Sequence, residues 1–203
     1  MLSLTPTLAE TEIADSPSLI ARAQQRDSES FCQLCRIHGN RLVRQATALC
    51  GDPSLAEDLA QETLFEAWKS IRRYNGQCRF FTWLCAILLN RYRNVLRRKR
   101  PLAMAALTPT DRDGAESLLE KLPDQGFGPD EASAQAERAA RLRSCIERLA
   151  PKHQQVIHLR FYVDDSLESI AAALDCSVGT VKSRLFYAIE QLRAMAQRER
   201  AEI

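Results

Sequence analysis

Helical periodicity fills two stretches of this chain, residues 19–100 and 138 onward, and the segment between them fits neither helix nor strand. That division constrains the fold more than any other feature. Residues 101–137 contain Pro101, Pro109, Pro123 and Pro129, three glycines, and eight acidic residues against Arg112 and Lys121, a net charge of −6. Such composition reads as an acidic linker. Residues 1–17 are rich in Thr, Ser and Pro without a period and read as a flexible N-terminal tail. No alternating strand pattern of useful length and no internal repeat is evident, so the expected fold is all-α: two small helical domains, residues 18–100 and 138–203, joined by the linker. With 203 residues and 45% hydrophobic content, each part can bury a core.

The second domain carries the sharpest local signal. Asp165 is a plausible N-cap with Glu168 three residues later, opening a short helix through Ile170 and Leu174. Asp175 to Ser177 turn the chain, and Ser177 caps the next helix. This is a helix-turn-helix. On a 3.6-residue wheel Val178, Val181, Leu185, Ala188 and Leu192 share the inward face. Gly179, Ser183, Phe186, Tyr187 and Glu190 point outward, flanked by Thr180, Lys182 and Arg184. Small residues at the N-terminal end of such a face admit it to a major groove, where Lys182 or Arg184 reaches guanine or phosphate, Ser183 a base edge and Phe186 a thymine methyl. A merely solvated helical hairpin is the plainer alternative.

Two helices of the first domain bear on what happens once DNA is bound. In DPSLAEDLAQETLFEAWKSI, Asp52 caps and Pro53 takes the first helical position. Its wheel buries Ala56, Ala60, Leu64, Ala67 and Ile71, leaving Asp58, Gln61, Glu62 and Phe65 on the opposite side. An exposed aromatic among acids suggests a protein contact, the plainer alternative being a solvated face with one stray Phe. In FFTWLCAILLNRYRNVLRRKRP, Phe81, Cys85, Leu88, Tyr92 and Val95 form a core stripe, and Trp83, Ala86, Asn90, Arg93, Asn94 and Arg97 face away. Six of the ten residues 91–100 are basic and none is acidic, which suits phosphate tracking. Asn90 for a base edge and Trp83 for stacking suit opened DNA, the plainer alternative being a solvated basic helix end with Trp83 in the core.

The runs AEDLAQETLFEAW, FFTWLCAILLN with its basic tract, LAPKHQQVIHLRFY and SIAAALDCSVGTVKSRLF resemble the bacterial extracytoplasmic-function (ECF) sigma factors, a subfamily of the sigma-70 family. The resemblance covers residues 18–100 and 138–195. It implies a region 2 helical bundle that binds the clamp helices of the RNA polymerase beta-prime subunit and captures the melted minus-10 element. It implies a region 4 helix-turn-helix that meets the beta flap and reads the minus-35 element. Carried over, Asp58, Gln61, Glu62 and Phe65 lie in the core-polymerase contact. Asn75, Gly76 and Gln77 belong to the loop that holds a flipped non-template base, with Trp83, Asn90, Arg93 and Arg97 beside it. Thr180, Lys182, Ser183, Arg184, Phe186 and Tyr187 face the upstream element. The linker would thread the RNA exit path toward the active centre, where its charge mimics nucleic acid; a plain spacer has the same composition. An anti-sigma factor is the expected regulator. Departures from the family pattern are Tyr187 for a common arginine, Ser169 for a frequent glutamate, Arg26 for the usual glycine before Asp27, and Cys35 for a tyrosine.

Other classes leave weaker marks. A stand-alone helix-turn-helix regulator would share the reading helix but not the first-domain helices. A metal or thiol sensor would draw on Cys32, Cys35 and His38, yet on one helix His38 falls about 240° from Cys32. The seven cysteines lack disulfide spacing and read as reduced thiols, mostly small buried hydrophobes. No nucleophile and base pairing, phosphate loop or supported carboxylate pair points to an enzyme, and no cofactor or metal is expected. The opening MLSLTPTLAETEIAD lacks a basic and apolar leader, and no run approaches the ~18 apolar residues of a membrane span. A cytoplasmic protein without membrane insertion is expected.

Overall fold

The computed structural model describes residues 16–99 and 129–201; the N-terminal tail and most of the linker lie outside the described residues. The described residues hold helices and turns and no strand. The first domain comprises α1 (Pro17–Gln24), α2 (Ser28–Cys50), α3 (Pro53–Ser70), a 3-10 turn (Ile71–Arg73) and α4 (Phe80–Lys99). The second comprises α5 (Pro129–Glu147), α6 (Pro151–Ile157), a π turn (His158–Tyr162), α7 (Leu167–Ala173) and α8 (Val178–Ala201).

Local chemistry accounts for most boundaries. Asp27 caps α2 by accepting from the Glu29 amide, and Asp52 caps α3 by accepting from Ser54 and Leu55, with Pro53 following as its missing N–H allows. Gly51 ends α2 in the left-handed region at φ 73°, its N–H donating to the Thr47 carbonyl. The helix α5 begins at Pro129, inside the segment expected to be linker. Pro is well suited to a first helical turn, and the alanine-rich run after it favours helix.

In the first domain α2 packs on α1, α3 and α4, burying Leu34, Leu42, Leu59, Ile71, Leu84 and Leu88 almost completely. In the second, α8 packs on α5, α6 and α7 around Val156, Leu159, Ile170 and Val181. The two domains close on one another: α4 packs against α6, α7 and the π turn, and a single apolar cluster runs through both. This closure corrects the wheel drawn for α4. Ala86, expected outward, is buried, as are Thr82, Leu84 and Leu89, because α4 is covered by its own bundle on one side and by the second domain on another. On α3 the expected inward residues are buried except Leu64, which is half-covered, and Leu59 and Thr63 join them.

Candidate polymerase and promoter interfaces

On α3, Asp58, Gln61, Glu62 and Phe65 are all exposed, and Phe65 is the most exposed large apolar side chain described, at 61%. Its ring lies 4.2 Å from the Lys69 ammonium. At the edge of this face Glu66 pairs with Arg91 of α4, tying the two helices together. Carboxylates, an amide and an aromatic thus share one solvent-facing strip.

The turn between the 3-10 segment and α4 is built as a rigid projection. Asn75 accepts from the Gln77 amide at 3.0 Å, and Gly76 takes φ 72° with open space where a Cβ would stand. Residues 75–77 are exposed while Cys78 is buried. The Tyr74 hydroxyl donates to the Cys78 carbonyl, closing the base of the loop. Gln24 donates its side-chain amide to the carbonyls of Tyr74 (2.6 Å) and Ile71 (3.3 Å), clipping the loop to α1. A cleft of about 690 Å³ opens here, lined by Ile20, Gln24, Asn75, Gln77, Arg79 and Glu168 among others. Trp83 is half-buried against Tyr74 and Phe80, so it supports the loop from beneath. Asn90, Arg93 and Arg97 lie further along α4; Arg93 and Arg97 are exposed, and Asn90 accepts from Gln155 of the second domain at 3.0 Å.

On α8, Val181, Leu185 and Ala188 are buried and Val178 and Leu192 half-buried, so this face turns inward. Ser177 accepts from the Thr180 amide at 3.1 Å and so caps the helix. Lys182 and Phe186 are exposed, Phe186 at 40% and edge-on to Tyr187, while Thr180, Ser183, Arg184 and Tyr187 are half-covered. The Ser183 hydroxyl donates back to the Thr180 carbonyl. The candidate residues therefore form three groups: the α3 strip, the loop with one side of α4, and the outer face of α8.

A polar cluster that sequence reasoning missed lies between the second and third groups. Asp165 is not the cap of α7; Ser166 is, accepting from Ser169 at 3.1 Å. Asp165 instead sits only 4% exposed at the domain junction. One of its oxygens accepts from Arg79 Nε (3.1 Å) and the Ser166 amide (2.8 Å), and lies 2.7 Å from Arg79 Nη2. The other accepts from Ser169 (2.8 Å) and from the hydroxyl of Thr82. Burial alone would raise the Asp165 carboxyl, but the hydrogen bonds from Arg79, Thr82, Ser169 and the Ser166 amide outweigh it and hold the group below the ordinary carboxylate range. Sequence spacing gave no sign of this cluster, since Arg79 and Asp165 lie 86 residues apart.

The cysteine-histidine sensor is not assembled. His38 is buried against Phe80 and Phe81, away from the exposed Cys32. Among the described residues no group of three or more His, Cys, Asp or Glu could hold a metal. Cys78, Cys85 and Cys145 are buried, and burial pushes Cys85 up to about 12. Also among the described residues, no helix is long and apolar enough to cross a membrane.

The described residues thus form two helical domains, one carrying a helix-turn-helix and the other an exposed acidic and aromatic strip, the class of fold in which DNA-binding proteins are found. The comparisons specify which. The Sigma-70 region 2 model matches residues 34–101 and the Sigma-70, region 4 model matches residues 145–194. The ECF RNA polymerase sigma factor SigL of Mycobacterium tuberculosis (strain H37Rv) is 33% identical over 161 residues, 79% of this chain and 85% of that protein. The RNA polymerase sigma factor NccH of Alcaligenes xylosoxydans xylosoxydans is 31% identical over 188 residues, 92% of this chain and 97% of that one. SigE of Mycolicibacterium smegmatis is 31% identical over 173 residues, and this chain spans 64% of its length. Among solved structures, CnrH in complex with the cytosolic domain of CnrY superposes with a TM-score of 0.61 at 25% identity, covering 91% of this chain and 98% of that one. The chain belongs to the ECF RNA polymerase sigma factors.

Proposed function

We propose that this chain docks on core RNA polymerase and directs initiation by holding two promoter elements, one per domain. The observation that carries the proposal is the coexistence of the exposed Asp58, Gln61, Glu62 and Phe65 strip with the exposed Lys182 and Phe186 on the outer face of α8 in one chain. An autonomous regulator needs the second surface but has no use for the first. The strip on α3 meets the beta-prime clamp helices. Residues 18–100 capture the melted minus-10 element, with the exposed Asn75, Gly76 and Gln77 in the loop that holds an extruded base and Arg93 and Arg97 on the phosphates. Residues 138–203 meet the beta flap and place Thr180, Lys182, Ser183, Arg184, Phe186 and Tyr187 in the major groove of the minus-35 element. The linker follows the RNA exit path. An anti-sigma factor controls the chain, a reading supported by the similarity to CnrH, which was solved bound to the cytosolic domain of CnrY.

The test is transcription from a promoter library with core polymerase and mapped start sites, alongside operator binding by the chain alone. Defined starts that require both the chain and core are expected. Tight duplex binding without polymerase, and no start with it, would assign the helix-turn-helix to a stand-alone regulator.

A further inference from the structure

We infer that Asn75–Gly76, in the candidate minus-10 loop, is a site of spontaneous deamidation that adds a negative charge to the loop as the protein ages. The chemistry stands on the loop alone; its effect on initiation rests on the reading proposed above.

In an asparagine-glycine pair the next residue's amide nitrogen easily reaches the side-chain carbonyl carbon, because glycine has no Cβ to block the approach. The loop leaves that approach open. Residues 75–77 are exposed, and a Cβ built on Gly76 would meet nothing within 4 Å. Among the described residues the Gly76 N–H donates to no protein group. The Gln77 N–H donates to Asn75 Oδ1 at 3.0 Å. Negative charge develops on that oxygen when its carbon is attacked, so the turn holds one oxyanion donor already in place. The other asparagines, Asn40, Asn90 and Asn94, lie inside α2 and α4, where the following amide is engaged in the helical ladder.

The bonds balance with water as the co-reactant. The Gly76 nitrogen, its proton lost to solvent base, bonds to Asn75 Cγ; the Cγ–Nδ2 bond breaks and ammonia leaves with a proton from solvent, which closes a succinimide ring. Water then adds to one ring carbonyl, and the bond from that carbon to the ring nitrogen breaks. Opening at the side-chain carbonyl gives aspartate. Opening at the main-chain carbonyl gives isoaspartate, whose backbone is one methylene longer. Nothing is oxidised or reduced: amide and water become carboxylate and ammonium.

Either product places a negative charge where an extruded base and its phosphates would sit. The loop is held against swinging it away, since Tyr74 donates to the Cys78 carbonyl at its base and Gln24 donates to the Tyr74 carbonyl at 2.6 Å. Like charges ~6 Å apart across solvent lower affinity about threefold, and more where water is excluded. Initiation should therefore fall by about three- to tenfold, most at low salt.

The full chain is incubated at pH 8 and at pH 6 and digested with trypsin, and the segment Tyr74–Arg79 is weighed and fragmented beside a free peptide of that sequence. Asn75 is expected to gain one mass unit at pH 8 and to do so more slowly at pH 6, because the attacking nitrogen must lose its proton. Segments bearing Asn40, Asn90 and Asn94 stay unchanged. Gly76→Ala slows the gain by about tenfold, its helix content checked by circular dichroism. A folded chain that gains no mass while the peptide converts fully, or that converts as fast with Gly76→Ala, overturns the inference. Parent and peptide decide alone should Gly76→Ala lose helix content. In a second arm, fresh chain, aged chain and N75D are compared for start-site usage with core polymerase, and the aged chain and N75D are expected to fall together. A converted chain that starts transcription as well as the fresh one also overturns the inference. A fresh chain that starts nowhere sinks the functional reading instead, and the mass measurement still decides the chemistry.

Discussion

Lowering the pH from 7.5 to 5.5 should destabilise this fold through one side chain, His158. The residue lies on the π turn, 3% exposed, its ring stacked on Tyr162 at 4.9 Å and 12°. Its Nε2 has no hydrogen-bond partner, so a proton there would be buried without compensation. Burial lowers its pKa from 6.5 to about 4. The folded chain therefore keeps His158 neutral while the unfolded chain takes up a proton, and acidification favours unfolding. The stabilisation is fully present above about pH 6.5 and is lost as the pH falls, by ~1.4 kcal/mol per unit, until the folded form also protonates near pH 4. The gap of about 2.5 units sets a ceiling of ~3.4 kcal/mol, of which ~1.4 kcal/mol should appear by pH 5.5. Urea unfolding of the parent and of His158→Leu at pH 7.5, 6.5 and 5.5, at fixed ionic strength, isolates this contribution as the difference between two slopes. Asp165 does not interfere, because a depressed carboxyl contributes stability that is lost only as the pH falls below its ordinary 3.8. If parent and variant lose the same stability between pH 7.5 and 5.5, the buried neutral imidazole is not what the structure implies.

Three further substitutions probe the packing and the interfaces. Gly51→Ala should lower stability by ~1–2 kcal/mol, read as a lower urea midpoint, since φ is 73° and the new Cβ would stand 2.7 Å from Arg143 Nη1. Phe65→Ala should leave stability within ~0.5 kcal/mol of the parent, because the ring is exposed, yet weaken core-polymerase binding by about tenfold in a competition assay. Tyr74→Phe keeps the ring against Phe80 and Trp83 but removes the donor to the Cys78 carbonyl. It should cost ~0.5–1.5 kcal/mol and relax base preference at the minus-10 element, measured as start-site usage across a substituted promoter set.

Much of the architecture could be read from periodicity and caps. The outward strip on α3 and the exposed Gly179, Phe186 and Glu190 of α8 follow from the wheels drawn on those helices, while Ser183 and Tyr187, also expected outward, are half-covered. The wheel for α4 placed Phe81, Cys85, Leu88 and Tyr92 inward and Asn90, Arg93 and Arg97 outward as the structure has them, but misplaced Ala86, because the second domain also covers that helix and periodicity records a buried face without saying how many partners bury it. Capping logic misplaced the start of α7 for a related reason. Asp165 and Ser166 are both good caps, and the choice was decided by Arg79 and Thr82, partners remote in sequence. Arg26, flagged as standing where glycine is usual, sits at φ 71° as a glycine would. Its guanidinium donates to the Trp68 carbonyl at 2.9 Å and lies over the Trp68 ring, which offsets the strain. The π turn left no mark in composition at all.

The bonds that join the domains belong to a class suited to being made and broken. Beyond the Asp165 cluster they include Gln45 to the Tyr162 carbonyl, Gln155 to Asn90, Tyr92 to Glu147 and Arg143 to the Ala48 carbonyl. Each can be exchanged for water at a net cost of ~0.5–1.5 kcal/mol, far less than leaving it unmade in a dry core. The apolar cluster running through both domains supplies attraction without direction, so the polar contacts fix which surfaces meet. A sealed core would use the opposite proportions, and a pair of independent domains would have neither. Contacts of this kind can be exchanged for a partner's hydrogen bonds at modest net cost, whereas the apolar cluster between the domains cannot be uncovered without exposing its surface to water.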